Sequence, residues 1–109
     1  MEKAMISQPM HGKSEEEIKD TRLRALQALA ARNYAIVNTL FTDEWYSEER
    51  SAERGVVNRP LMFFAKSIEN MSHCHAAYFC KGWESARGCK LEHAVAEAYG
   101  LTIIYEEDG

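Results

Sequence analysis

The chain has 109 residues, a length that suits one domain able to bury a real core. Hydrophobic residues make up 46% of it, which excludes a disordered polymer. A net charge of −4 without a basic stripe excludes a duplex nucleic-acid surface, although one phosphate can still be held by a loop or a helix N-terminus.

A single domain over residues 1–109 is expected, because no repeat, linker or low-complexity tract interrupts it. The three cysteines, Cys74, Cys80 and Cys89, are an odd number and form no CxxC pair. That argues against a disulfide framework and for a reducing, cytoplasmic setting. The opening MEKAMISQPM is too short and polar for a signal peptide. No apolar run approaches the roughly 20 residues that span a bilayer, so no membrane partner is expected.

Ala4-Met5-Ile6 predicts a short, central first strand ended by Ser7-Gln8-Pro9. After the loop QPMHGKS, Ser14 reads as an N-cap with Glu17 closing a capping box. The helix that follows should run to about Ala31, facing inward through Ile18, Ala25, Leu26 and Leu29, and end at Asn33. Tyr34 to Asn38 reads as a second strand, parallel to the first. The acidic stretch TDEWYSEERSAERG, residues 42–55, is either a solvated loop or short helix, or a lid using Trp45 and Tyr46. Asn58 then caps a helix with Pro60 in its first turn and a core stripe of Leu61, Phe64, Ala65, Ile68 and Met71.

Ala76 to Cys80 is apolar on both faces, as a buried parallel strand requires. A Gly-containing loop leads to a helix with Leu91, Ala94, Val95 and Ala98 facing the sheet. Gly100 is a C′ residue by position, and Leu101 to Tyr105 is the last strand. The order predicts a small α/β, Rossmann-like or flavodoxin-like three-layer sandwich with about four parallel strands.

In such a sheet, ligands bind where strands end and helices begin. Glu92 sits near the start of the last helix. One reading makes it an exposed carboxylate paired with Lys90 or His93. The other makes it a nucleophile or electrostatic stabiliser at the sheet edge. Gly82, Trp83, Ser85, Arg87 and Gly88 precede it; their backbone N–H groups, hydroxyl and guanidinium suit a phosphate or sugar, and the indole a base. Gln8, Met10, His11, Lys13 and Ser14 reach the same edge from the first loop. The loop before Glu92 is neither GxGxxG nor GxxxxGK followed by Ser or Thr. Cys89 and His93 are i, i+4, a spacing open to a metal or a thiol–imidazole pair. The histidines and cysteine at 73–75 fall at the opposite strand end, so no metal and no cofactor is expected.

The segments ISQPM, Gly12, Ser14 and EEI at the start, and AxYFxxGWExARGCxxEHxxAxxYG near the end, carry a resemblance over nearly the whole chain. They resemble a small family of bacterial and phage proteins, the DUF4406-like proteins, in the nucleoside 2-deoxyribosyltransferase-like superfamily. That resemblance implies a Rossmann-like fold and N-glycosidase or 2-deoxyribosyltransferase chemistry on a nucleoside or nucleotide. Glu92 matches the superfamily's helix glutamate, which attacks the anomeric carbon. Ser85, Arg87 and Gly88 match its phosphate-holding region. The resemblance also implies a homo-oligomer whose sites borrow from a neighbour. One position departs: His75 stands where the superfamily has an aspartate that orients the base. A protein that binds a nucleotide or an ADP-ribose derivative without cleaving it is the alternative, and an interaction subunit a third reading.

Overall fold

The structure is a computed structural model, and it describes residues 1–37 and 44–107. Asn38, at the end of the expected second strand, lies outside the described residues, as do Thr42, Asp43, Asp108 and Gly109.

Strand β1 spans Lys3–Ser7, β2 Ala35–Ile36, β3 Ala76–Phe79 and β4 Thr102–Tyr105. All pair in parallel in the order β2-β1-β3-β4. Helices are α1 (Glu15–Ala31), α2 (Glu48–Glu53), α3 (Arg59–Met71) and α4 (Arg87–Ala98). The fold is therefore α/β, with an all-parallel sheet and the strand order of a small Rossmann-like sandwich.

Local chemistry sets the element boundaries. Ser14 Oγ accepts from the Glu17 amide at 3.1 Å and donates to the Glu17 carboxylate at 3.2 Å, so the capping pair closes side chain to side chain. Asn33 ends α1 in the left-handed region, φ 63°, a conformation Asn tolerates because its short polar side chain can bond locally. Asn58 Oδ1 caps α3 through the Leu61 amide at 3.0 Å.

Alternation along β1 divides the core. Ala4 and Ile6 pack with Ala25 and Leu29 of α1, together with Tyr78 and Ile104. Met5 faces the other way, with Phe79 and with Met71 and Ala96 of α3 and α4. Ser7, two residues beyond Met5, falls on that α3/α4 face.

Two expected helix faces are displaced. On α3 only Met71 of the stripe is buried, while Leu61 is 61% and Ile68 40% exposed. On α4 the buried positions are Cys89, Glu92 and Ala96, and Leu91 is 45% exposed. The apolar periodicity of both helices is wider than the face they offer the sheet. On α4 the inward turn is taken by Glu92, which finds a polar partner there.

The acidic stretch forms a 3₁₀ turn at Glu44–Tyr46 and then α2. It is fastened to α3: Tyr46 packs on Phe63 at 5.8 Å, Ser51 Oγ meets Met62 Sδ at 3.4 Å, and Arg59 donates to the Tyr46 carbonyl at 2.9 Å. Arg54 lies over the Trp45 ring at 3.8 Å. This is the short-helix reading of the stretch.

Candidate active site

β1 and β3 are neighbours, yet the chain leaves them toward opposite edges of the sheet. Their carboxyl ends therefore diverge into a crevice, the place where α/β folds take ligands. The loop after β1 supplies Gln8 to His11, and the loop after β3 leads into α4.

Glu92 lies in that crevice and is only 8% exposed. Its Oε1 accepts a 2.8 Å hydrogen bond from Ser7 Oγ, at the end of β1. Burial pushes its carboxyl above the ordinary glutamate value, and hydrogen bonds from Ser7 and Ser67 act in the opposite sense. The exposed-carboxylate reading does not hold. His93 turns away, with Nε2 2.7 Å from Tyr105 Oη and Nδ1 3.1 Å from Glu97.

Two clefts meet at this carboxylate, and Arg87, Gly88 and Glu92 line both. One, of about 440 Å³, is polar and is lined by Gln8, Met10, His11, Ser85 and Cys89 as well. The other, of about 420 Å³, is apolar and aromatic; Pro60, Leu61, Phe63, Phe64 and Leu91 line it, with Asn58 and Ser67 as its polar groups. The structure thus brings together Gln8, Met10, His11, Ser85, Arg87, Gly88 and Glu92.

Gln8 is nearly buried, and its amide is oriented by Nε2 donating to the Ile18 carbonyl at 2.7 Å. Its Oε1 is buried without a hydrogen-bond partner among the described residues. Helix α4 begins at Arg87, and its N-cap residue Ala86 supplies no side-chain cap; Ala86, Arg87, Gly88 and Cys89 all line the polar cleft.

Gly82 and Trp83 line neither cleft. Gly82 makes the turn after β3 at φ 88°, where a Cβ would stand 3.7 Å from Pro9. Trp83 stacks on His93 with centroids 4.0 Å apart and leans on Phe79 at 5.6 Å. Ser14 is occupied as a cap. Lys13 lines a larger groove of about 780 Å³ on the α1 side of the sheet. Ion pairs Arg24–Glu106 at 3.4 Å and Arg32–Glu107 at 3.5 Å engage the carboxylates of that groove.

His75 stands at the N-terminal end of β3, where its Nδ1 accepts from the Lys3 amide at 3.0 Å. β3 separates it from the crevice, so it lies away from Glu92. Burial pushes the Cys89 thiol up, which opposes a thiolate nucleophile. Among the described residues no group of three or more His, Cys, Asp or Glu side chains could hold a metal.

Ser7, Ser67 and the Phe63–Phe64 wall were not indicated as site residues by the sequence. A serine in an otherwise apolar buried strand was the available signal for Ser7. Ser67 looks like any polar helix residue until α3 and α4 are packed together.

Fold and site together define a class: a small parallel α/β domain with a buried carboxylate between two clefts at its strand-order switch point. The chain belongs to the family described as the domain of unknown function DUF4406, whose model matches residues 2–105. No curated protein and no solved structure matches it.

Proposed function

We propose that the protein is a nucleoside or nucleotide N-glycosidase, or a 2-deoxyribosyltransferase-like enzyme, with Glu92 as nucleophile. The observation that carries this reading is the position of Glu92, a buried carboxylate where a polar cleft and an aromatic cleft meet. The apolar cleft, with Phe63 and Phe64, suits a base. The polar cleft, with Arg87 and the uncapped α4 amides, suits a sugar and its phosphate. The sugar's C1′ then falls beside the carboxylate.

In the first step a Glu92 oxygen bonds to C1′ as the C1′–N bond breaks. The bonding pair leaves with the base nitrogen, which takes up a proton. Solvent at the open cleft supplies that proton. Water then adds its hydroxyl to C1′, gives its remaining proton to solvent and releases the carboxylate; in transfer a second base nitrogen bonds to C1′ and gives up its proton in the same way. The negative carboxylate stabilises the oxocarbenium-like transition state, as in retaining glycoside chemistry.

Binding without cleavage is the alternative, favoured by one observation. Burial pushes the Glu92 carboxyl above the ordinary glutamate value, and a carboxyl that kept its proton would donate a hydrogen bond instead of attacking.

Incubation with nucleosides, deoxynucleotides and NAD-type dinucleotides, followed by chromatography for free base, tests the reading. Free base from wild type and none from Glu92→Gln supports the enzyme. No base, with a thermal shift from one compound, supports the binding protein.

The proposal extends to a cytoplasmic homo-oligomer. No disulfide joins the three thiols, and no described helix is long and apolar enough to cross a membrane. Leu61 and Leu91, both exposed, line the mouth of the same cleft on adjacent helices. Helix α4 has Arg87 and Lys90 near its start and Glu97 near its end, against the sense of its dipole. An antiparallel α4 from a second copy sets those basic and acidic ends against each other and covers the leucines.

A further inference from the structure

We propose that Ser7 is the positioning residue of this site: its hydroxyl holds Oε1 of Glu92 from the sheet and so fixes the carboxylate between the two clefts. The inference rests on the reading of Glu92 as the working carboxylate. It adds what the carboxylate itself does not determine, which of its oxygens is held and by which strand.

The geometry is specific. Ser7 is the last residue of β1, is 1% exposed, and sits on the α3/α4 face of the sheet. A hydroxyl at such a position needs a partner, because a buried polar group left unpaired is costly. It finds one in Glu92 Oε1 at 2.8 Å. The backbone around it is stiff: Ser7 pairs with Phe79 across the β1–β3 ladder, and its carbonyl accepts from the Cys80 amide at 3.0 Å. A donor on a central strand is placed more tightly than one on a loop.

The 2.8 Å contact runs from the Ser7 hydroxyl to the carboxylate, and the same hydroxyl lowers the Cys89 thiol, one helical turn before Glu92, against the upward push of burial. The groups facing Glu92 are Ser7 from β1, Ser67 from α3, Cys89 and Arg87 from α4, and His11 across the polar cleft. Among these only Ser7 meets the carboxylate from the sheet.

A hydroxyl that donates to the ionised carboxyl favours the ion, so its removal moves the titration upward. The test is a carbon-detected NMR titration of glutamate carboxyls in the full chain, with the Glu92 signal assigned by its loss in Glu92→Gln. In Ser7→Ala the midpoint is expected to rise by about 1–2 pH units, the range for a hydrogen bond to a charged group. Should Ser7→Ala not fold, Ser7→Cys, a weak donor in place of a strong one, gives the same comparison. An unchanged midpoint in a folded Ser7 variant overturns the proposal. The readout needs no substrate, so it stands apart from base release: a shifted midpoint without free base from any compound would sink the glycosidase and leave the clamp.

Discussion

Glu92 is a buried acid, and its environment makes a statement about stability. A carboxyl whose folded midpoint lies above its unfolded value binds an extra proton in the native state between the two. The native state therefore keeps its full stability below the ordinary glutamate range and loses part of it as pH rises through the folded midpoint. Glu92→Gln removes the charge but keeps an oxygen for Ser7. It is expected to melt several degrees above wild type at pH 8, where about 1 kcal/mol corresponds to roughly 4–8 °C in a domain near this size. At pH 4 the difference should shrink. Thermal melts of both proteins at the two pH values check this; a glutamine variant less stable at both would show that the ion is well accommodated. A stabilising substitution at the residue that also abolishes base release would mark Glu92 as held for function. The other thiols follow the same physics: burial pushes Cys80 up to about 12 and Cys74 up to about 11, which makes them poor nucleophiles.

At the scale of elements, the loop between β3 and α4 carries the clearest reassignment. Trp83 sits in a motif that suggests a ligand cover, yet its ring lies 4.0 Å from His93 and 5.6 Å from Phe79. His93 is held in turn by Tyr105 and Glu97, so the stack ties the loop to β4 and to the body of α4. Trp83→Ala is expected to cost about 2–3 kcal/mol, somewhat less than the loss of a fully buried aromatic. Urea unfolding measures it; a loss under about 0.5 kcal/mol, the size of an ordinary surface change, would mean the stack is not structural. The α4 register has the same lesson. Leu91 looks inward by periodicity and lies outward, because the turn that meets the sheet belongs to Cys89, Glu92 and Ala96.

At the scale of the molecule, α3 and α4 leave apolar surface exposed where a lone chain has no reason to keep it. Leu61, Ile68 and Leu91 are each 40% or more exposed. Light scattering after size exclusion should therefore give a mass above the 12.4 kDa of one chain. The pair Ala65→Lys and Ile68→Lys, on the exposed face of α3 and outside the Glu92 clefts, should return it to one chain without unfolding it. Wild type running at one chain's mass would remove the second copy from the proposal.

The sequence by itself determined the strand and helix order, the caps at Ser14 and Asn58, and the turns at Asn33 and Gly100. Those are local matters: periodicity, cap chemistry and positive φ are written in neighbouring residues. It also placed Gln8, Met10, His11, Ser85, Arg87 and Gly88 at one sheet edge, because a parallel sheet sends every strand's carboxyl end the same way. Only the tertiary structure decided that Ser7 and Ser67 meet Glu92 and that Phe63 and Phe64 form a second cleft. Those contacts join positions up to 85 residues apart, and helix rotation against a sheet is set by the packing of all layers at once. A one-dimensional stripe names an apolar face without saying whether the sheet, a neighbour or a ligand will cover it.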